Sequence, residues 1–223
     1  MNVGAIIPAA GSGTRMGGAR KAFLEIGGKT LLQHCLDAFL SIDEITQIVV
    51  ALPSEEVRAS SNGQQRGRVR LVAGGAHRAD SVRAALNHLS PEVDVVVIHD
   101  AARPLLTVRM IRAVLDCAAR GESATIAVPV VDTLHRVDAD HRIIETPNRT
   151  QFWRAQTPQA FPRSTLIQAY ARVTNASAAT DEAGLVARAG FPVRIIPGDA
   201  SNLKITTPDD VVIAEAALAR RQS

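Results

Sequence analysis

V-D-V-V-V-I-H-D-A-A-R-P, residues 93–104, decides how this chain folds. Residues 93–99 form its most apolar run, and the run stops at a carboxylate, Asp100. A strand apolar on both faces must be covered on both, which places it centrally in a sheet between helices. Helical spacing flanks it. Residues 80–89 turn Val82, Ala85, Leu86 and Leu89 inward, and residues 108–119 form the next helix.

Moving outward, the same alternation continues. Strands are expected over residues 3–7, 47–52, 70–73, 125–130, 193–197 and 202–205. Helices are expected over residues 30–40, 53–60 with Ser54 as cap, 162–173 and 181–189, with a polar loop over 61–67. Thr207-Pro208-Asp209-Asp210 opens a last helix to about Arg220. This order means an α/β fold: a mainly parallel, twisted, Rossmann-like sheet with helices on both faces, in a single domain over 1–223. Residues 131–152 break the rhythm. Two short strands, 134–137 and 143–146, flank an Asp-Ala-Asp turn and form a protruding β-arm. Such an arm packs on a second subunit or stands as a surface hairpin on a monomer.

Composition narrows the function. Hydrophobic residues make up 46% but aromatics only 3%, so the core is aliphatic. A net charge of +3 is too small to mark a nucleic-acid binder. Cys35 and Cys117 have no metal or redox spacing, which suits a reduced, cytoplasmic protein. No apolar run is long enough to span a membrane. Among 25 basic residues only Lys21, Lys29 and Lys204 are lysines.

In parallel sheets ligands bind beyond the strands' carboxyl ends. Three segments fall there: residues 8–21, 74–81 and 99–104. The first, P-A-A-G-S-G-T-R-M-G-G-A-R-K, lacks both the third glycine of G-x-G-x-x-G and the G-K-[ST] of a phosphate loop. Gly11 and Gly13 still let amides approach a ligand, and Arg15 and Lys21 add two cations, the makings of a polyphosphate cradle. A plain tight turn is the alternative. Asp100 sits where Mg²⁺ bridging phosphates needs an oxygen ligand, or caps a turn; Arg103 can meet a second anion. His99 reads as a structural hydrogen-bonding group.

P-A-A-G-S-G-T-R-M, G-G-A-H-R-A-D-S-V, V-I-H-D-A-A-R-P, V-D-T, Q-T-P-Q-A-F, T-D-E-A and N-L-K-I-T, in this order over nearly the whole chain, resemble the 2-C-methyl-D-erythritol 4-phosphate cytidylyltransferase family. The resemblance implies a nucleotidyltransferase fold, a homodimer built by the arm, and transfer of CMP from CTP to a polyol phosphate with Mg²⁺. It implies that Arg15, Lys21 and Lys204 stabilise phosphoryl charge and that Asp100 is the metal ligand. It assigns Ala9, Ala10, Gly75 and Ser81 to the cytidine, and Gly11, Gly13 and Ala101 fall among the expected substrate-binding residues. Arg103 lies near the substrate and Thr157 is a further substrate contact, while Thr133 and Arg149 reach the methylerythritol phosphate of the neighbouring subunit. Two departures stand out: Arg20 replaces a usual proline and Ala76 a frequent acid. Ribitol 5-phosphate as acceptor, or a nucleotide-binding dimer without turnover, are the alternatives.

Overall fold

The computed structural model describes residues 1–11, 21–60 and 65–222. In chain order the elements are β1 (Val3–Pro8), β2 (Glu25–Ile26), β3 (Lys29–Thr30), α1 (Leu31–Leu40), β4 (Ile45–Leu52), α2 (Ser54–Ala59), β5 (Gln65–Arg66) and β6 (Val69–Ala73). Then come α3 (Arg78–Leu86), β7 (Val95–Ile98), α4 (Val108–Ala119), β8 (Ser123–Pro129), β9 (Arg136–Val137) and β10 (Ile143–Glu145). β11 (Trp153–Pro162), α5 (Arg163–Arg172), α6 (Glu182–Arg188), β12 (Val193–Pro197) and α7 (Pro208–Gln222) complete the fold.

The main sheet has the order β12-β8-β11-β7-β1-β4-β6-β5. Its frame is parallel; only β11 and β5 run against their neighbours. Strand alternation divides the core between two faces. Ala5, Ile7, Val50, Val95 and Val97 pack with Phe39 of α1 and Ile111 and Val114 of α4. Ile6, Val49, Ala51, Val96 and Ile98 pack with Val82 of α3, Leu166 of α5 and Leu185 of α6. β7 is buried throughout and lies near the middle, as its composition requires. Helix starts are fixed locally: Thr30 accepts from Gln33 N at 3.1 Å, Thr107 from Met110 N at 3.3 Å and Asp181 from Gly184 N at 2.9 Å.

Several details differ from the sequence reading. Ser54 lies within the first turn of α2, after Pro53, and makes no capping bond. α3 starts two residues before Asp80 and ends at Leu86. Residues 202–205 are not a strand; Ile205 N bonds the Ala102 carbonyl at 2.8 Å, a lone link without a ladder. The short β2, β3 and β5, the last within the expected polar loop, were not expected, nor was the long strand β11. Its sequence, WRAQTPQAFP, carries an internal proline that cannot donate to a ladder, and its register with β8 breaks between Ala155 and Gln159. The arm forms β9 and β10, shorter than expected, and residues 131–155 are exposed except at a few half-buried positions.

Candidate active site

From β1 the chain steps through β4 to β6 on one side, while β7 flanks β1 on the other. The gap beyond their carboxyl ends is a topological switch point. A cleft of about 590 Å³ opens there. It is lined by residues 8–11, Lys21, Ala22, residues 75–78, Ser81, residues 100–102 and Lys204, so all three strand-end segments and the N-L-K segment meet. Gly13 and Arg15 lie outside the described residues. Gly74 permits the meeting: a Cβ there would overlap that of Ala10 and come within 2.8 Å of Ser81 Oγ. The Ala9 and Gly74 amides bond the carbonyls of Ala51 and Leu52, and the Gly75 amide bonds Ser81 Oγ at 3.1 Å. At these three positions only carbonyl oxygens are left for a ligand.

Asp100 forms the cleft floor. Oδ1 accepts from Arg78 Nε at 2.8 Å and Oδ2 from Lys204 Nζ at 2.7 Å. Burial pushes this carboxyl up, but Arg78 and then Lys204 outweigh it and hold Asp100 well below the usual carboxylate range. Arg78 in turn reaches Glu182 Oε2 through Nη1 at 2.6 Å. Burial would lower the Arg78 guanidinium; Asp100 and Glu182 reverse that and keep it charged. Lys21, at the rim, reaches the Ile205 carbonyl at 3.4 Å.

A hydrogen-bond chain holds Asp100 from behind. Its amide donates to Thr157 Oγ1 at 3.0 Å, and that hydroxyl pairs with His99 Nδ1 at 2.9 Å. His99 Nε2 meets the Arg103 carbonyl at 2.9 Å, so Nε2 carries the proton and Nδ1 accepts. Burial lowers His99 to about 4. It therefore stays neutral while an unfolded chain protonates near pH 6.5, so stability falls as pH drops. The expected loss is about 2 kcal/mol between pH 7 and pH 5. Urea unfolding at the two pH values measures it; equal midpoints would contradict a sealed, neutral His99.

Other expected residues fall elsewhere. Thr157 is buried and supports Asp100 from behind the cleft wall. Arg103 spends two nitrogens on the carbonyls of Asn202 (2.7 Å) and Ala155 (3.2 Å), and its buried Nε has no partner among the described residues. Thr133 and Arg149 are exposed on the arm and do not line this chain's cleft. Sequence reasoning assigned no role to Arg78 or Glu182, although both stood inside quoted motifs. A carboxylate directly after a helix-capping aspartate, in an otherwise apolar helix, was the available signal. A second cleft, about 480 Å³, lies at the opposite end of the sheet, but its Arg68 is a strut bonded to the carbonyls of Leu40, Ile42 and Ile45.

Comparison with known proteins agrees along the full chain. The family model described as 2-C-methyl-D-erythritol 4-phosphate cytidylyltransferase matches residues 3–220. A protein of that name from Frankia casuarinae is 45% identical over 220 residues, 98% of this chain and 82% of the relative. One from Deinococcus radiodurans is 44% identical over 213 residues, 95% and 88% of the two chains. The crystal structure of 2-C-methyl-D-erythritol 4-phosphate cytidylyltransferase from Thermus thermophilus superposes with a TM-score of 0.81 at 36% identity, covering 99% of this chain and 100% of the other.

Proposed function

Because this chain belongs to the 2-C-methyl-D-erythritol 4-phosphate cytidylyltransferase family, we propose that the cleft above β1, β6 and β7 is where it carries out that family's reaction. The enzyme transfers CMP from CTP to 2-C-methyl-D-erythritol 4-phosphate and releases pyrophosphate, forming 4-diphosphocytidyl-2-C-methyl-D-erythritol for isoprenoid precursor synthesis. The observation that carries the assignment to this cleft is Asp100 at the switch point, with Lys204 on it and Lys21 at the rim.

The acceptor's phosphate monoester has a second pKa of about 6, so it is largely dianionic at neutral pH and needs no general base. It attacks the α-phosphorus of CTP in line as pyrophosphate leaves. Lys21 and Lys204, with Arg15 from the same loop as Lys21, meet the charge that builds on the phosphoryl oxygens. Backbone carbonyls among Ala9, Gly74 and Gly75 would accept the two N–H donors of the cytosine 4-amino group; uracil offers an oxygen there and is disfavoured.

The residues fit a divalent cation. Asp100 offers one hard carboxylate at the cleft floor, and Mg²⁺ commonly takes one or two together with substrate phosphates. Among the described residues no group of three or more His, Cys, Asp or Glu side chains gathers for an all-protein cage. Asp100 would hold the ion, which would supply charge neutralisation at the phosphate oxygens.

The arm carries the subunit contact. It presents Val137, Ile143, Ile144 and Phe152 to solvent, each more than 40% exposed. A two-stranded hairpin is marginal alone, and a second copy is the cover that also brings Thr133 and Arg149 to a cleft. The protein is expected to sediment as a dimer. Ile143→Asp with Ile144→Asp is expected to give a monomer that turns over at least about tenfold more slowly; a fully active monomer would refute the arm's role. Cys35 and Cys117 are buried free thiols, as suits the cytoplasm. No helix among the described residues is long and apolar enough to cross a membrane.

Pyrophosphate release with Mg²⁺, CTP and 2-C-methyl-D-erythritol 4-phosphate, beside ribitol 5-phosphate, tests the activity. Release confined to the methylerythritol substrate is expected. Release confined to ribitol phosphate, or none with either, would overturn the substrate.

A further inference from the structure

The two oxygens of Asp100 are held differently. Among the described residues Oδ2 has one partner, the Lys204 ammonium, on a flexible side chain that is 41% exposed. Oδ1 has Arg78, only 21% exposed and gripped at its other end by Glu182. Glu182 is itself fully buried, and its Oε1 shares the Tyr170 hydroxyl with the Ala79 carbonyl, each at 3.2 Å. Burial pushes the Glu182 carboxyl up, and the Arg78 guanidinium at 2.6 Å opposes it by favouring the charged form. The first turn of α6 that carries it is pinned by Gln159 of β11, which donates to Asp181 Oδ2 at 2.8 Å and accepts from Ala183 N at 3.1 Å. Arg78 therefore has no freedom to swing toward a ligand, whereas Lys204 has.

We propose that Glu182 and Tyr170 are positioning residues for the transfer. They lock Arg78 onto Asp100 Oδ1, so that only Oδ2 can exchange partners, and they offset Arg78's charge, so that Asp100 still attracts a cation. When a cation takes Oδ2, Lys204 is freed for the nucleotide's phosphates. Without Glu182, Arg78 becomes an uncancelled cation beneath the cleft, free to turn Nη2, which has no partner among the described residues, on a phosphate. This rests on the reading of Asp100 as the carboxylate that meets the divalent cation.

The sign of two binding changes tests it. Glu182→Gln keeps the shape and removes one negative charge. It is expected to weaken Mn²⁺ binding, read by electron paramagnetic resonance on the enzyme saturated with a non-hydrolysable CTP analogue, by about tenfold. CTP binding in EDTA, read by calorimetry, is expected to tighten severalfold. A merely structural Glu182 would weaken both or neither, and either result overturns the proposal. Tyr170→Phe is expected to move both constants in the same directions by less, and it decides the question should the glutamine variant fail to fold. Asp100→Asn separates the premise: if it leaves Mn²⁺ affinity unchanged, the metal reading fails; if it abolishes binding while Glu182→Gln changes nothing, only the positioning role fails.

Discussion

Lys21→Ala is expected to lower kcat by about 100-fold or more at saturating substrates. Stability should change by less than about 1 kcal/mol, because the side chain sits at the rim and not in the core. The expectation rests on charge. The reaction brings two polyanions together, and a preorganised cation at the developing charge contributes most in the transition state. Lys21→Arg is expected to recover little, since a rigid planar fork does not replace a compact, rotatable ammonium. This fits the chain's usage: two of its three lysines, Lys21 and Lys204, stand at this cleft in a protein that otherwise uses arginine. Pyrophosphate release with thermal unfolding of the same samples checks it, and near wild-type turnover in the alanine variant would remove Lys21 from the mechanism.

Asp100→Asn is expected to damage both activity and fold. Turnover should fall at least about 100-fold and excess Mg²⁺ should not restore it. Stability should drop by about 3 kcal/mol, because Arg78 and Lys204 lose the carboxylate that compensates them. The depressed carboxyl also fixes the pH behaviour. Its stabilisation is present above the unfolded value of about 3.9 and is lost only as pH falls through the lower folded value. The variant's deficit against wild type, measured in urea, should therefore be constant from pH 7 to pH 5. A variant as stable as wild type would mean that the two cations do not depend on Asp100.

The central parallel strands β1, β4 and β7 were legible because they are apolar and almost wholly buried, and α4 matched residue for residue because one helical face carries its apolar positions. β11 was not legible. Its prolines argue against a strand locally, and its antiparallel place between β7 and β8 is set by tertiary pairing. The convergence of three strand ends could be inferred from topology alone. The charge chain from Lys204 through Asp100 and Arg78 to Glu182 could not, because two of its three links join residues 104 positions apart and only burial shows that they compensate one another. The role of Thr157 was hidden for the same reason: its hydroxyl is read as a substrate contact until β11 turns it onto the Asp100 amide.

The strand order also fixes the sequence of events during synthesis. β5, β6, β4, β1 and β7 are neighbours in the sheet and all lie within residues 3–98, so this half can assemble while the rest is still being translated. At ordinary elongation rates the remainder takes on the order of ten seconds to emerge. Until β11 emerges β7 is an open edge, and Asp100 lacks first Thr157 and, for longer, Lys204. The nascent chain thus waits with its most apolar strand uncovered, and the catalytic floor becomes electrically balanced only when the last-made third of the polypeptide docks.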